Sequence, residues 1–145
     1  MKFIADVMLG KLAKRMRLLG FDVLYERALD DNEIIRLSLQ EHRIILTRDT
    51  GLSGRPLAAD SVFIEHDAID DQLRQVMDTF TIESIPGPLT RCSICNDPLL
   101  PIAQNEVQNL VPEYVYSNYR GFLRCDRCGR VYWEGTHVRN MKLSS

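Results

Sequence analysis

Two short cysteine hooks, Cys92-Ser93-Ile94-Cys95 and Cys125-Asp126-Arg127-Cys128, restrict what the C-terminal part of this 145-residue chain can become. They hold all four cysteines of the protein. Two such turns brought together offer four thiolates, the tetrahedral donor set of a closed structural Zn²⁺ site with no position left for a substrate. Disulfides are disfavoured in a reducing compartment, and a thioredoxin-like motif would be a single CxxC beside a βαβ unit. Asn96 follows the first hook and Gly129 the second. These are the residue types that best tolerate the left-handed backbone a tight metal knuckle often needs.

The segments "EYVYS" (113–117), "GFLRC" (121–125) and "RVYWEG" (130–135) are β-prone and aromatic. A small β-rich zinc ribbon over residues 92–145 is therefore expected, dependent on its metal because its own core is small. Tyr132, Trp133, His137, Arg139 and Lys142 combine rings that can stack on bases with cations that can neutralise phosphates. For Tyr132 and Trp133 the preferred reading is core filling or docking, since small metal modules need large apolar side chains. His137 would be a ligand only if a cysteine failed, and otherwise faces the surface or RNA.

Upstream, the pattern changes. "KFIA" (2–5), "FDVLY" (21–25), "RIILT" (43–47) and "SVFIE" (61–65) read as strands. Helical periodicity separates them: Leu9, Leu12, Ala13, Met16 and Leu19 before Gly20; Ile34, Ile35, Leu37 and Leu39 after a capping-box pair, Asp30 and Glu33; and Ile69, Leu73, Val76, Met77 and Phe80 in a helix over about 68–80. The order β-α-β-α-β-loop-β-α predicts an α/β domain with a mostly parallel sheet covered by helices on both faces. "ESIPGPLTR" (83–91) breaks that pattern with two prolines and a glycine. The expected division is an α/β domain over 1–85, a linker over 86–91 and the ribbon over 92–145.

Composition sets the class: 45% apolar and 26% charged residues are those of a soluble globular protein. No apolar run approaches the ~18 residues of a membrane span, and the start, "MKFIADVMLGKLAKRM", lacks the unbroken apolar stretch of a signal peptide. A cytoplasmic protein without membrane contact is expected. The net charge of −2 hides an asymmetry, with 11 Lys/Arg against 15 Asp/Glu in residues 1–90 and 7 against 5 in residues 91–145. The direction agrees with nucleic-acid contact through the tail.

Every strand exits into an acid: Asp6, Asp30 or Asp31, Asp49 and Asp67. Singly, each reads as a helix N-cap. Jointly they mean more, because a parallel sheet places all carboxyl ends of its strands on one edge, where open α/β folds build their sites. Converging carboxylates repel unless a cation neutralises them, and Mg²⁺ or Mn²⁺ is the natural occupant of an all-oxygen pocket. Such an ion supports hydrolysis of a phosphodiester. Arg48 is placed to contact a phosphate, and Lys11, Lys14 and Arg15 form a basic patch on the first helix, each of which alone reads as a solvated helix face.

With these blocks assembled, "FIADVMLGKLAKRMRLLGFDVLY", "DD" (30–31), "RIILTRDTGL", "RCSICND" and "LRCDRCGRVYWEGTH" together resemble the Mut-seven C-terminal RNase family over nearly the whole chain. The resemblance implies a PIN-like nuclease domain followed by a four-cysteine zinc ribbon, and RNA as substrate, with tRNA, rRNA or a ribosome among the candidates. It implies catalytic acids at Asp6, Asp31 and Asp49, with Asp30 and Asp67 as further acids, and leaves the second and fourth acids open among Asp31, Glu33 and Asp67. RNA contacts would come from Arg48, Lys11, Lys14, Arg15 and Arg139. Two other readings remain: a non-catalytic RNA- or ribosome-binding module in which the acids are helix caps, and a receiver-like domain with Asp49 as phosphoacceptor. A clear partner lysine at a later strand end is missing for the latter.

Overall fold

Apolar strands and helical stripes take turns as the sequence predicts in a computed structural model that describes residues 1–58 and 60–134. The elements are β1 (Lys2–Ala5), α1 (Gly10–Leu18), β2 (Asp22–Leu24), α2 (Asp31–Glu41), β3 (Arg43–Thr47), a short α3 (Thr50–Ser53), β4 (Ser61–Phe63) and α4 (Ile69–Thr79). A 3-10 turn, Val7–Leu9, leads from β1 into α1. The four strands pair in parallel in the order β2-β1-β3-β4.

Alternation along the strands sends Phe3, Ala5 and Leu46 to one face, where they pack on Leu12 and Met16 of α1 and Leu73 and Val76 of α4. Ile4 and Ile45 point the other way, onto Ile34 and Ile35 of α2 and Leu52 of α3. Apolar burial on both faces explains why these strands read as unbroken apolar runs. One position differs from the sequence reading: Leu39 is 54% exposed. Ile34, Ile35 and Ser38 form the inward stripe of α2, and Leu39 falls one step further round the helix. The Ser38 hydroxyl donates to the Arg43 carbonyl, so its burial leaves no polar group unpaired.

The C-terminal part forms a small antiparallel sheet, β5 (Leu100–Pro101), β6 (Leu123–Arg124) and β7 (Val131–Tyr132), in that order. The β-prone "EYVYS" is a helix instead, α5 (Glu113–Asn118). Pro112 precedes it with φ −57, its carbonyl accepts from the Tyr116 amide, and Val115 alone of the segment is fully inward, against Val107 and Phe122. Val115 and the half-buried Tyr116 face that cluster while Tyr114 is exposed, a pattern without the strict alternation of a strand.

Segment 86–91 is tied down at the end of α1. The Gly87 amide donates to the Leu19 carbonyl at 3.1 Å and the Leu89 amide to the Leu18 carbonyl at 2.9 Å, satisfying acceptors that a helix C-terminus leaves unpaired. Gly20 makes this approach possible: its φ is +98, and a Cβ there would lie 2.5 Å from the Gly87 oxygen. Gly20→Ala is therefore expected to cost about 2 kcal/mol or more, from the left-handed backbone and the backbone collision together. A fall in chemical-denaturation midpoint checks it; an unchanged midpoint would contradict this packing.

Candidate active site and cysteine centre

The strand order places β1 and β3 side by side, with α1 after β1 on one sheet face and α3 after β3 on the other. Helices that leave adjacent strands on opposite faces open a crevice at their carboxyl ends, the usual position of a site in an open α/β sheet. Asp6 follows β1 there and Asp49 follows β3.

Asp6 is 6% exposed. Its Oδ1 accepts from the Val7 amide at 2.7 Å and its Oδ2 from the Thr47 hydroxyl at 2.9 Å. The same hydroxyl oxygen accepts from the Asp49 amide at 2.9 Å. Thr47 is fully buried, so one hydroxyl links the two acids across the strand pair. The Asp49 side chain is exposed and takes the Gly51 amide at 2.8 Å as the cap of α3.

Of the two acids after β2, Asp30 is the N-cap of α2. Its Oδ1 accepts from the Glu33 amide at 2.8 Å while Glu33 accepts from the Asp30 amide at 3.3 Å. Asp31, the next residue, caps nothing. Partial desolvation, then the Asp49 and Asp6 charges, hold its carboxyl above its ordinary value, with Arg55 opposing and Asp30 adding a little. Asp31 comes after β2 at the same carboxyl edge of the sheet as Asp6 and Asp49, and their charges reach it. Asp67 stands apart from the three: it is paired with Arg48 at 2.7 Å and highly exposed. Arg15 pairs with Asp70 at 2.7 Å, joining α1 to α4. Lys11 and Lys14 are exposed on α1, and Arg139, like His137 and Lys142, lies outside the described residues.

Among the described residues, the four cysteines are the cluster of metal-ligating side chains whose donor atoms all lie within 4.8 Å of one another. The Cys92 and Cys128 sulfurs are 3.7 Å apart. A tetrahedron with Zn–S bonds of about 2.3 Å has edges of about 3.8 Å, whereas a disulfide would need about 2.05 Å. The spacing fits zinc. Each hook closes in the same way: the Asn96 amide donates to the Cys92 carbonyl at 2.9 Å, and the Gly129 amide to the Cys125 carbonyl at 2.8 Å. Asn96 (φ 67) and Gly129 (φ 79) adopt the left-handed conformation the sequence suggested. Burial pushes the Cys95 and Cys125 thiols up, Cys95 to about 12. At Cys92 hydrogen bonds from Tyr132 and from backbone amides outweigh burial and bring it down to about 7. Tyr132 is 4% exposed, its hydroxyl 3.2 Å from the Cys92 sulfur, and Trp133 packs on Phe122; both belong to the core of the module.

The first hook docks on the α/β unit through two residues whose role the sequence does not announce. Arg17, 4% exposed, donates from Nε to the Val23 carbonyl at 2.8 Å and from Nη1 to the Ser93 and Ile94 carbonyls at 3.0 and 3.1 Å. Burial lowers its guanidinium below the ordinary value, and the charges of Cys92, Cys95 and Asp22 work against that. Asn96 accepts from the Val23 amide at 3.1 Å and donates to Asp22 at 2.7 Å. Asp22 also meets Arg43 at 2.8 Å. The edge of β2 is thereby covered.

A family model, the Mut7-C RNAse domain, matches residues 1–144. The chain belongs to the Mut7-C RNAse domain family. A nuclease-type function and an RNA substrate follow at that level. Comparison with curated proteins and with solved structures found no match. Among the described residues, no helix of this Mut7-C protein is long and apolar enough to cross a membrane.

Two outcomes are expected. Cys125→Ser removes a fully buried ligand, and metal analysis should show roughly stoichiometric zinc loss, with increased proteolysis of the C-terminal module. Full zinc retention would contradict the four-thiolate centre. Asp31, with its folded-state value raised, contributes stability at low pH that is lost as pH rises through that value. In the zinc-loaded protein without added Mg²⁺ or Mn²⁺, Asp31→Asn should therefore melt higher than the parent at neutral pH, the difference fading as pH falls into the carboxylate range. A lower melting point at neutral pH would show that Asp31 is not under like-charge stress.

Proposed function

We propose that this protein is a metal-dependent ribonuclease with a PIN-like α/β domain over 1–85, whose Asp6, Asp31 and Asp49 carboxylates hold Mg²⁺ or Mn²⁺, and whose zinc ribbon over 92–145 aids RNA binding. The observation that carries the reading is the shared edge: Asp6, Asp31 and Asp49 come after β1, β2 and β3, which neighbour one another in the sheet, Thr47 ties the Asp6 carboxylate to the Asp49 backbone, and burial together with the Asp49 and Asp6 charges raises the Asp31 carboxyl. A fold keeps such a charge conflict when a cation relieves it, and an all-oxygen donor set suits a hard divalent ion. Membership of a ribonuclease-domain family supports the same chemistry.

An ion held there would neutralise the acids and polarise water and phosphate oxygens for phosphodiester hydrolysis. The chain's own residues do the rest. Thr47 fixes the Asp6 carboxylate through its hydroxyl, leaving the acid one orientation. Asp67 anchors Arg48 beside Asp49, so the guanidinium is already positioned for a phosphate. Asp67 thus positions Arg48 rather than serving as a fourth ligand, and Asp30 and Glu33 serve the helix.

A second reading has an observation in its favour: Asp6, Asp30 and Asp49 each accept a backbone amide at a helix or turn start, as caps of a non-catalytic RNA- or ribosome-binding module would. Cleavage separates the two. Purified protein with Mn²⁺ should cut mixed RNA, and Asp49→Asn or Asp6→Asn should reduce the rate by at least about a hundredfold while RNA binding persists. Cleavage unchanged in both variants would mean the site is wrong; RNA binding without cleavage in the parent would favour the binding module.

A further inference from the structure

An open cleft of about 660 Å³ is lined by Arg48, the residue before Asp49, by residues of α1, and by Ser93 and Ile94 of the first cysteine hook. Lys11, Lys14 and Arg27 line it, all exposed. None has an ion-pair partner among the described residues, in contrast to Arg15, Arg43, Arg48 and Arg91. Asp67, already engaged by Arg48, is the one acid among the described residues of the lining. Three unneutralised cations in one cleft, on an α/β unit with an excess of acids, form a local exception that calls for an anion.

The walls are not purely polar. Met8 (59% exposed) and Ile94 (46% exposed) are among its lining residues. Tyr25 lies across the start of α1, its hydroxyl donating to the Val7 carbonyl at 2.8 Å. Gly10 permits this, since a Cβ there would come within 2.8 Å of the Tyr25 oxygen. Cations that track a backbone, interleaved with exposed apolar side chains, are the features of a single-strand groove. The volume is in the range that takes a drug-sized molecule, about two nucleotides.

We propose that this cleft is the binding groove for the single-stranded RNA segment adjoining the acids, with Lys11, Lys14 and Arg27 on phosphates and Ile94 of the cysteine hook against a base. The hook is then one bank of the substrate groove as well as a metal knuckle. The inference rests on the nuclease reading for its direction, from acids to hook, but its test is binding.

In the full chain, with Asp49→Asn as a non-cleaving background, fluorescence anisotropy of a labelled oligouridine 12-mer reads the affinity. Adding Lys14→Glu and Arg27→Glu together should weaken binding at least about tenfold and flatten the salt dependence by about 1.4 in log–log slope, the loss of two single-strand phosphate contacts. Ile94→Ser should weaken binding severalfold with the slope unchanged. Arg36→Glu, on α2 at the opposite sheet face, should bind as the background does. An RNA duplex of the same length should compete poorly. Parent-like affinity in the Lys14/Arg27 variant, an equal loss in Arg36→Glu, or equal competition by duplex would each overturn the groove. The readings are separable: this binding pattern in a parent that never cleaves would keep the groove and sink the nuclease, while cleavage with unaltered binding in the variants would do the reverse.

Discussion

Parallel pairing of β1 with β3 is the constraint on which the rest of the molecule depends. It aligns Ala5 with Leu46, so the next residues, Asp6 and Thr47, emerge together at one sheet edge and meet through a hydrogen bond. The same pairing forces the chain to leave β1 on one face and β3 on the other, which opens the crevice. Thr47 then turns a geometric coincidence into a fixed link, since its single hydroxyl both donates to Asp6 and accepts from the Asp49 amide. With both lone pair and proton used inside the fold, the Asp6 carboxylate and the Asp49 backbone are held in place through one buried hydroxyl.

The cysteine centre is joined to that sheet by electrostatics as much as by packing. A Zn²⁺ with four thiolates would be a net dianion, and the buried Arg17 guanidinium, bonded to the carbonyls of the hook itself, is a cation whose charge is coupled to Cys92 and Cys95. Because Arg17 also closes on the Val23 carbonyl of β2, the metal module and the sheet share one buried charge. Asp22 extends the network: burial would raise its carboxyl, and hydrogen bonds from Arg43 and Asn96, with the Arg43 and Arg91 charges, bring it below its ordinary value instead. A metal bound by the four thiolates would balance the buried Arg17 charge, and its removal would leave that charge with less to oppose it.

Much of this was legible in the sequence because it is written in local chemistry. The strand-helix alternation follows from apolar periodicity, the four-thiolate cluster from spacing, and the left-handed Asn96 and Gly129 from residue type. What was hidden depends on tertiary contact. "EYVYS" has the composition of a strand, but the neighbours Val115 and Tyr116 both pack against one small cluster, which a helical turn allows and a strand's alternation does not. Thr47 looks like any β-branched strand residue until the register sets it opposite Asp6. Arg17 sits on a helix among basic neighbours, where arginine normally means a wet surface, and only the docked hook explains its burial. Asp30 and Asp31 are equivalent by type; the capping box at Glu33 was the signal that separates them, because it commits Asp30 to the helix and leaves the Asp31 side chain without a capping role.

The central claim is that Asp6, Asp31 and Asp49 share a divalent cation. Crystals grown with Mn²⁺ and measured for anomalous scattering at the manganese absorption edge test it directly. The account predicts a manganese peak with oxygen of all three carboxylates within about 2.0–2.6 Å. Saturating Mn²⁺ with no anomalous peak among the three acids would contradict it.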